Sequence, residues 1–210
     1  MYNAVVFDVD GTLLDTEKAA LSGLQAVLEQ LHGIKVAVED LGFCMGMTGQ
    51  QVFEHFGIKD YQRSYEAWVD SIQASLDRIR LFDGIRETLD FLKGADKKLA
   101  IVTSKTRREF EETMAHFGIV QYFDTVVCSD EVERPKPDKE PLLKAIQFLQ
   151  EEPESTLYIG DTLQDIRCAK SAQVDFGLAL WGANRELLQH CSTWLCNPTD
   201  IICLLHNECL

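Results

Sequence analysis

Short apolar runs alternate along the chain with stretches whose apolar residues recur at helical spacing. Ala4–Asp8, Lys98–Ser104, Thr125–Ser129, Thr156–Asp161 and Asp175–Leu180 are each short and rich in Val, Ile, Leu or aromatic residues. Continuous apolar runs of this kind suit strands buried on both faces, so they predict a parallel sheet covered by helices. Between them, Ile85–Leu92 sets Ile85, Leu89 and Leu92 on one face. Arg107–Phe117 sets Phe110, Met114 and Phe117 on one face, with Gly118 as its C-cap, and Pro141–Leu149 opens with a proline suited to a first helical turn. Strand–helix alternation of this kind predicts an α/β fold, a doubly wound (Rossmann-like) parallel sheet.

The alternation breaks after the first strand. Residues 15–79 carry amphipathic patterns at Glu17–Leu31, Gly49–Phe56 and Tyr61–Ile79 and no convincing strand. This predicts a small α-helical cap domain, 15–79, inserted into a discontinuous core of 1–14 and 80–210. Its two connections, near Leu14–Thr16 and Arg80–Gly84, would form the hinge of a lid.

Composition narrows the classes of function. The 210 residues are 46% hydrophobic and 26% charged, ordinary for a globular protein. With 34 acidic and 20 basic residues the formal charge is −14, which argues against nucleic acid or an anionic membrane as partner. A small anionic substrate stays compatible where a site is locally positive or holds a metal. The start has no basic region and its apolar run is cut by Asp8, so neither a signal peptide nor a membrane helix is expected, and the expected location is cytoplasmic. The seven cysteines (Cys44, Cys128, Cys168, Cys191, Cys196, Cys203, Cys209) form no CxxC pair, as expected for reduced thiols, mostly small core residues. The five histidines have no motif support as ligands. The apolar tail, Ile201–Leu205, is expected to cover the core, with an interface as the alternative; a monomer or weak homodimer is expected.

In open α/β sheets ligands bind at the carboxyl ends of the strands. Those ends carry Asp8-Val9-Asp10-Gly11-Thr12, then Thr103-Ser104-Lys105, then Lys136 in the loop after Thr125–Ser129, then Gly160-Asp161 with Asp165 beyond. Asp8 and Asp10, two apart in extended chain, point the same way. Gly11 lets the chain turn and bring N–H groups to an anion. Asp161 and Asp165 share a face if Thr162 begins a helix. Carboxylates converging in one crevice stay ionised only around a cation, and hard oxygen ligands with room for water suit Mg²⁺. Lys136, the Thr103 hydroxyl and backbone amides would then hold phosphate oxygens during phosphoryl transfer.

DVDGTLLDT, the Thr103-Ser104-Lys105 strand end, Lys136-Pro137 and GDTLQD together resemble, in order and spacing, the four motifs of the haloacid dehalogenase-like superfamily. The match is to its phosphatase branch with a helical cap after the first motif, the phosphoglycolate phosphatase and β-phosphoglucomutase-like group. The resemblance implies that Asp8 is the nucleophile taking the phosphoryl group and that Asp10 protonates the leaving oxygen and then activates water. This asks for a raised pKa on Asp10 and a low one on Asp8. It implies that Thr103 binds phosphoryl oxygens, together with Gly11 and Ser104, and that Lys136 neutralises charge on Asp8 and on the phosphoryl group. It implies that Mg²⁺ is held by Asp8, the Asp10 backbone carbonyl and Asp161, with Asp165 completing the acidic set or ordering a bound water. The substrate implied is a small phosphorylated metabolite, a phosphosugar or phosphoglycolate, with pyrophosphate also possible.

Alternatives stay open around these positions. Asp15 is either a helix N-cap or a site residue. Ser104 is expected to cap the next helix while its amide meets phosphate, Thr12 to support its turn, and Lys105 to be a solvated surface charge. The expected second proline of a Lys-Pro-x-Pro run is missing after Lys136, and Gln173 stands where a glycine is usual. If that position needs a positive φ, Gln costs about 1 kcal/mol relative to Gly. Asp10 argues against true dehalogenases and phosphonate hydrolases, which lack it. A phosphosugar mutase is the rival, disfavoured because the Asp15-Thr16-Glu17-Lys18 linker has no histidine. A silent binding protein is disfavoured because every motif carboxylate is present. The Gly42–Gln51 loop either packs between cap helices or faces the crevice; there it offers apolar contacts and the Gln50 or Gln51 amide. Its lack of Arg and Lys argues against a second strongly anionic group on the substrate.

Overall fold

A computed structural model describes residues 2–206. Six strands form one sheet in the order β5-β4-β1-β6-β7-β8, every neighbouring pair parallel. They are β1 (Ala4–Phe7), β4 (Lys98–Val102), β5 (Thr125–Val127), β6 (Thr156–Gly160), β7 (Asp175–Ala179) and β8 (Trp194–Leu195). The alternation of side chains along each strand explains their unbroken apolar character. Val5, Phe7, Leu99, Ile101, Leu157 and Ile159 go to one face. Ala4, Val6, Ala100, Val102 and Tyr158 go to the other.

Helices cover both faces, as the strand–helix alternation predicts. The first face is packed by Ile85, Leu89 and Leu92 of α4 (Ile85–Gly94) and by Phe110 and Met114 of α5 (Arg107–Met114). The second receives α6 (Glu140–Leu149), with Pro141 in its first turn, and α7 (Leu163–Ala172). α8 (Asp200–His206) lays fully buried Ile201 on the first face with Leu204 and Leu205 beside it, so this part of the tail covers the core. Cys209 lies outside the described residues. α5 is shorter than its periodicity suggests: it ends at Met114, and Gly118 closes the following turn at φ +59°. β8 is a two-residue edge, too short to leave a pattern in the sequence.

Between β1 and α4 lie α1 (Glu17–His32), α2 (Gly49–His55) and α3 (Gln62–Gln73). They enclose a separate apolar cluster of Leu21, Leu24, Val27, Leu28, Leu41, Cys44, Val52 and Phe53. The Trp68 indole N–H donates to Ala20 O at 2.7 Å, tying α3 to α1. α3 stops at Gln73, and a short 3₁₀ turn at Leu76–Arg78 follows where one long helix was expected. The chain entering and the chain leaving this helical group pair as a two-stranded antiparallel ribbon, β2 (Leu14–Asp15) with β3 (Arg80–Leu81). Asp15 therefore lies in a strand, and the N-cap of α1 is Thr16, whose hydroxyl serves another partner.

The C-cap of α7 is Gln173 at φ +58°, a left-handed position with an exposed side chain. Non-glycine residues pay about 1 kcal/mol or more there. Gln173→Gly is expected to stabilise the fold by about 0.5–1 kcal/mol after glycine's extra chain entropy is subtracted. Urea unfolding checks this; an unchanged or lower midpoint contradicts it.

Candidate active site

Four loops meet at the carboxyl end of the sheet because β1, β4, β5 and β6 are adjacent and parallel. Asp8 follows β1 and is 3% exposed; Thr103 follows β4 and is equally buried. Asp161 follows β6, and Asp165 sits one turn into α7, fully buried. Lys136 comes from the loop after β5, through a cis Lys136–Pro137 peptide, and is 1% exposed.

The Lys136 ammonium lies 2.9 Å from Asp8 Oδ1 and 2.7 Å from Asp165 Oδ1. It also reaches Val102 O and the Tyr158 hydroxyl at 3.4 Å. Asp165 is held further by the Tyr158 hydroxyl, which donates at 2.6 Å, and by the Thr162 hydroxyl and N–H. Thr162 is the N-cap of α7 and Asp165 its N3 residue, so one capping box both starts the helix and fixes the carboxylate. Asp161 accepts a 2.7 Å hydrogen bond from the Thr12 hydroxyl. Thr12 thus supports more than its own turn.

Burial sets the charge states. Desolvation pushes the Asp8 carboxyl up to about 7 against the pull of Lys136, with Asp165 and Asp10 adding repulsion. The low Asp8 pKa expected from the sequence is not found: one ammonium shared between two carboxylates does not offset complete burial. Burial, then Asp8 and Asp165, raise Asp161 well above the carboxylate range. Asp165 is held below it despite burial, by Lys136 and by the hydrogen bonds from Thr162 and Tyr158. Lys136, which burial would lower, is raised by Asp165 and Asp8.

One oxygen from each of Asp8, Asp161 and Asp165 lies within 4.8 Å of the others. Three buried carboxylates cluster beside the buried Lys136 ammonium, which pairs with two of them, Asp8 and Asp165. That unbalanced charge, on hard oxygen donors, fits a divalent cation such as Mg²⁺. The Asp10 carboxylate is not part of the cluster; it accepts from the Thr16 hydroxyl at 2.7 Å and pairs with Lys105 Nζ at 3.1 Å.

Two glycines let the loops close. A Cβ on Gly11, at φ +79°, would fall 2.0 Å from Asp161 Oδ2. A Cβ on Gly182 would fall 1.9 Å from Gly11 O, and the neighbouring Trp181 indole donates to Thr12 O at 2.8 Å. The loop after β7 therefore braces the Asp10–Thr12 turn from behind, a role with no signal in the sequence.

Above Asp8 and Asp10 opens a crevice whose other wall is α1, α3 and the Cys44–Gly49 loop, including Met45, Met47 and Trp68. The loop therefore faces the crevice. The Gln51 side-chain oxygen caps α2 with Thr48, Gln50 donates to Glu54, and neither residue lines the crevice. Ser104 is not a helix cap: its hydroxyl donates to Gly46 O at 2.8 Å, and α5 is capped by Thr106 with Glu109. Lys105, expected to be solvated, lies in the crevice with its side chain only 10% exposed, because Asp10 draws it inward.

The family described as haloacid dehalogenase-like hydrolase matches residues 5–179. The chain is 32% identical over 173 residues to pyrophosphatase PpaX of Halalkalibacterium halodurans, covering 82% of this chain and 80% of that protein. It is 30% identical over 209 residues to a phosphoglycolate phosphatase of Aquifex aeolicus, covering 97% of each. A Lactobacillus plantarum structure, provisionally titled a phosphoglycolate phosphatase, superposes with a TM-score of 0.88 at 29% identity, covering 96% of this chain and 98% of that one. β-Phosphoglucomutase of Clostridium difficile superposes with a TM-score of 0.84 at 20% identity, covering 99% of this chain and 97% of that one, a likeness of fold. The chain belongs to the haloacid dehalogenase-like hydrolase family. No helix among the described residues is long and apolar enough to cross a membrane.

Two outcomes check this geometry. Gly182→Ala is expected to destabilise the fold by at least about 1–3 kcal/mol, since the clash is with backbone; thermal unfolding measures it, and a neutral effect contradicts the brace. A carboxyl raised by folding opposes folding once ionised, so with chelator present the fold loses stability as pH rises from 3.8 through about 7 for Asp8. Asp161, raised by the same burial, adds to the loss. Asp161→Asn is therefore expected to melt above wild type at pH 8 in chelator, with the gap closing toward pH 4. A gap that does not depend on pH contradicts these charge states.

Proposed function

We propose that this chain is a Mg²⁺-dependent phosphatase that moves the phosphoryl group of a small phosphorylated metabolite to Asp8 and then to water. The observation that carries this reading is the Lys136 ammonium bridging Asp8 and Asp165 beside the three-carboxylate cluster. An Asp8 oxygen attacks phosphorus as the bond to the leaving oxygen breaks, and Asp10 delivers a proton to that oxygen. Water then attacks the aspartyl-phosphate, Asp10 takes the proton, and phosphate leaves with Asp8 restored. The Thr103 hydroxyl and the Ser104 backbone amide hold the phosphoryl oxygens, the Gly11 N–H being committed to Leu14 O at 2.8 Å, and Lys136 neutralises charge on them.

Asp8, the Asp10 backbone carbonyl and Asp161 would hold Mg²⁺. Asp165, already engaged by Lys136, Tyr158 and Thr162, orders that set. Bound there, Mg²⁺ supplies positive charge that lets an anionic phosphoryl group approach an anionic nucleophile. Residues 1–14 and 80–210 act as the core and 15–79 as the cap. The β2–β3 ribbon is the hinge, and closure over Asp10 excludes water from the first step. The Ser104–Gly46 hydrogen bond across the crevice supports a cap that meets the core. The relatives named phosphoglycolate phosphatase and pyrophosphatase support a phosphorylated substrate.

Phosphate release from p-nitrophenyl phosphate and a panel of phosphomonoesters tests the reading. Wild type is expected to need Mg²⁺ and to stop with chelator, and Asp8→Asn to lose at least about 10³-fold in kcat. Full activity of folded Asp8→Asn, or turnover without a divalent cation, would overturn it.

A further inference from the structure

The mechanism above leaves one buried charge in the crevice without a task. Lys105 lies between the catalytic floor and the cap, its side chain 10% exposed. Its ammonium is 3.1 Å from Asp10 Oδ2. That ion pair with Asp10 holds the ammonium inside the crevice. Glu109, also in the wall, is committed to α5: its Oε2 accepts from the Thr106 N–H and hydroxyl, each at 2.7 Å. The cap side of the crevice offers Leu21, Met45, Met47, Trp68 and Ile72, with no cation. The absence of Arg and Lys from the cap loop therefore does not decide the substrate's charge, because the core supplies the cation instead.

Size adds a second constraint. The crevice encloses about 60 Å³. At about 15 Å³ per water on this measure, that is room for about four waters. The transferring phosphoryl group beside Asp8 takes part of the same space, so a compact leaving group suits the crevice better than a hexose ring.

We propose that Lys105 is the specificity-determining residue of this site, receiving an anionic group carried by the leaving group. The preferred substrates are then phosphate esters or anhydrides whose leaving group is compact and bears its own negative charge, such as a two-carbon hydroxy acid or phosphate itself. This rests on the phosphatase reading. The Lys105 ammonium has three donors, so it can keep one on Asp10 while turning another to the substrate. An anion bound there gains an ion pair on top of the hydrogen bond in a mostly apolar wall, where an uncharged leaving group gains at most the hydrogen bond. Asp10, next to the leaving oxygen, and Lys105, next to the leaving group's far end, would together fix its direction.

The test compares phosphoglycolate and inorganic pyrophosphate with 2-hydroxyethyl phosphate, an uncharged match in size, under Mg²⁺. Wild type is expected to favour at least one charged substrate over 2-hydroxyethyl phosphate by 100-fold or more in kcat/KM. Lys105→Met is expected to bring that ratio below 5, mainly through KM of the charged substrate, and Lys105→Arg to restore part of it. Because the ratio is taken within one protein, loss of folded enzyme cancels. Equal rates on charged and uncharged substrates in wild type overturn the proposal, as does a ratio that survives in Lys105→Met. Asp8-dependent release from none of the three, nor from any other ester, would instead be the failure of the phosphatase reading.

Discussion

The Lys136 ammonium, held between Asp8 and Asp165, is the contact on which the rest of the site depends. It joins three strands' loops: Asp8 after β1, Lys136 after β5 and Asp165 beyond β6. Burying an ion pair costs desolvation that its attraction repays only with good geometry and further hydrogen bonds. Here those come from Tyr158, Thr162 and the α7 capping box. Even so, one ammonium pairs with two of three buried carboxylates, and burial, with their mutual repulsion added, raises Asp8 and Asp161. The fold therefore carries a charge imbalance at one spot, and a divalent cation is the natural complement to it.

The scaffold makes that imbalance tolerable. β1 is central in the sheet, with β4 and β6 hydrogen-bonded on either side, so the loop it feeds is anchored by strands on both flanks. Trp181 and Gly182 press on the Asp10–Thr12 turn from the third direction, and Thr12 passes that constraint to Asp161. Residues 15–79 contribute no buried charge to the cluster. They supply one backbone acceptor, Gly46 O, for Ser104. The strand-end loops hold the charges, Lys105 among them, and residues 15–79 supply the apolar wall beside them.

Much of this was legible in the sequence for a physical reason. Strands buried on both faces must be apolar throughout, and helices packed on one side must show a stripe, so the five longer strands and α4–α6 left clear patterns. The carboxylates, Thr103 and Lys136 stand at strand ends, where an α/β sheet collects its ligand-binding groups. What could not be read depends on contacts between distant segments. Lys105 looks like any surface lysine until Asp10 and the cap are placed around it. Tyr158 looks like a core aromatic, and only its register on β6 brings its hydroxyl to Asp165. The β2–β3 ribbon is two residues on each side, below the length at which alternation shows. Gln173 was legible conditionally, and its φ of +58° meets the condition.

The account's central claim is that Asp8 carries the phosphoryl group. Its most direct test uses Asp10→Asn, in which the second step is slowed, mixed with substrate and Mg²⁺, quenched in acid and mapped by peptide mass spectrometry. The account predicts one phosphoryl group on the peptide bearing Asp8, formed in step with a burst of leaving group. A stoichiometric burst with the phosphoryl group on another residue, or on none, would contradict it.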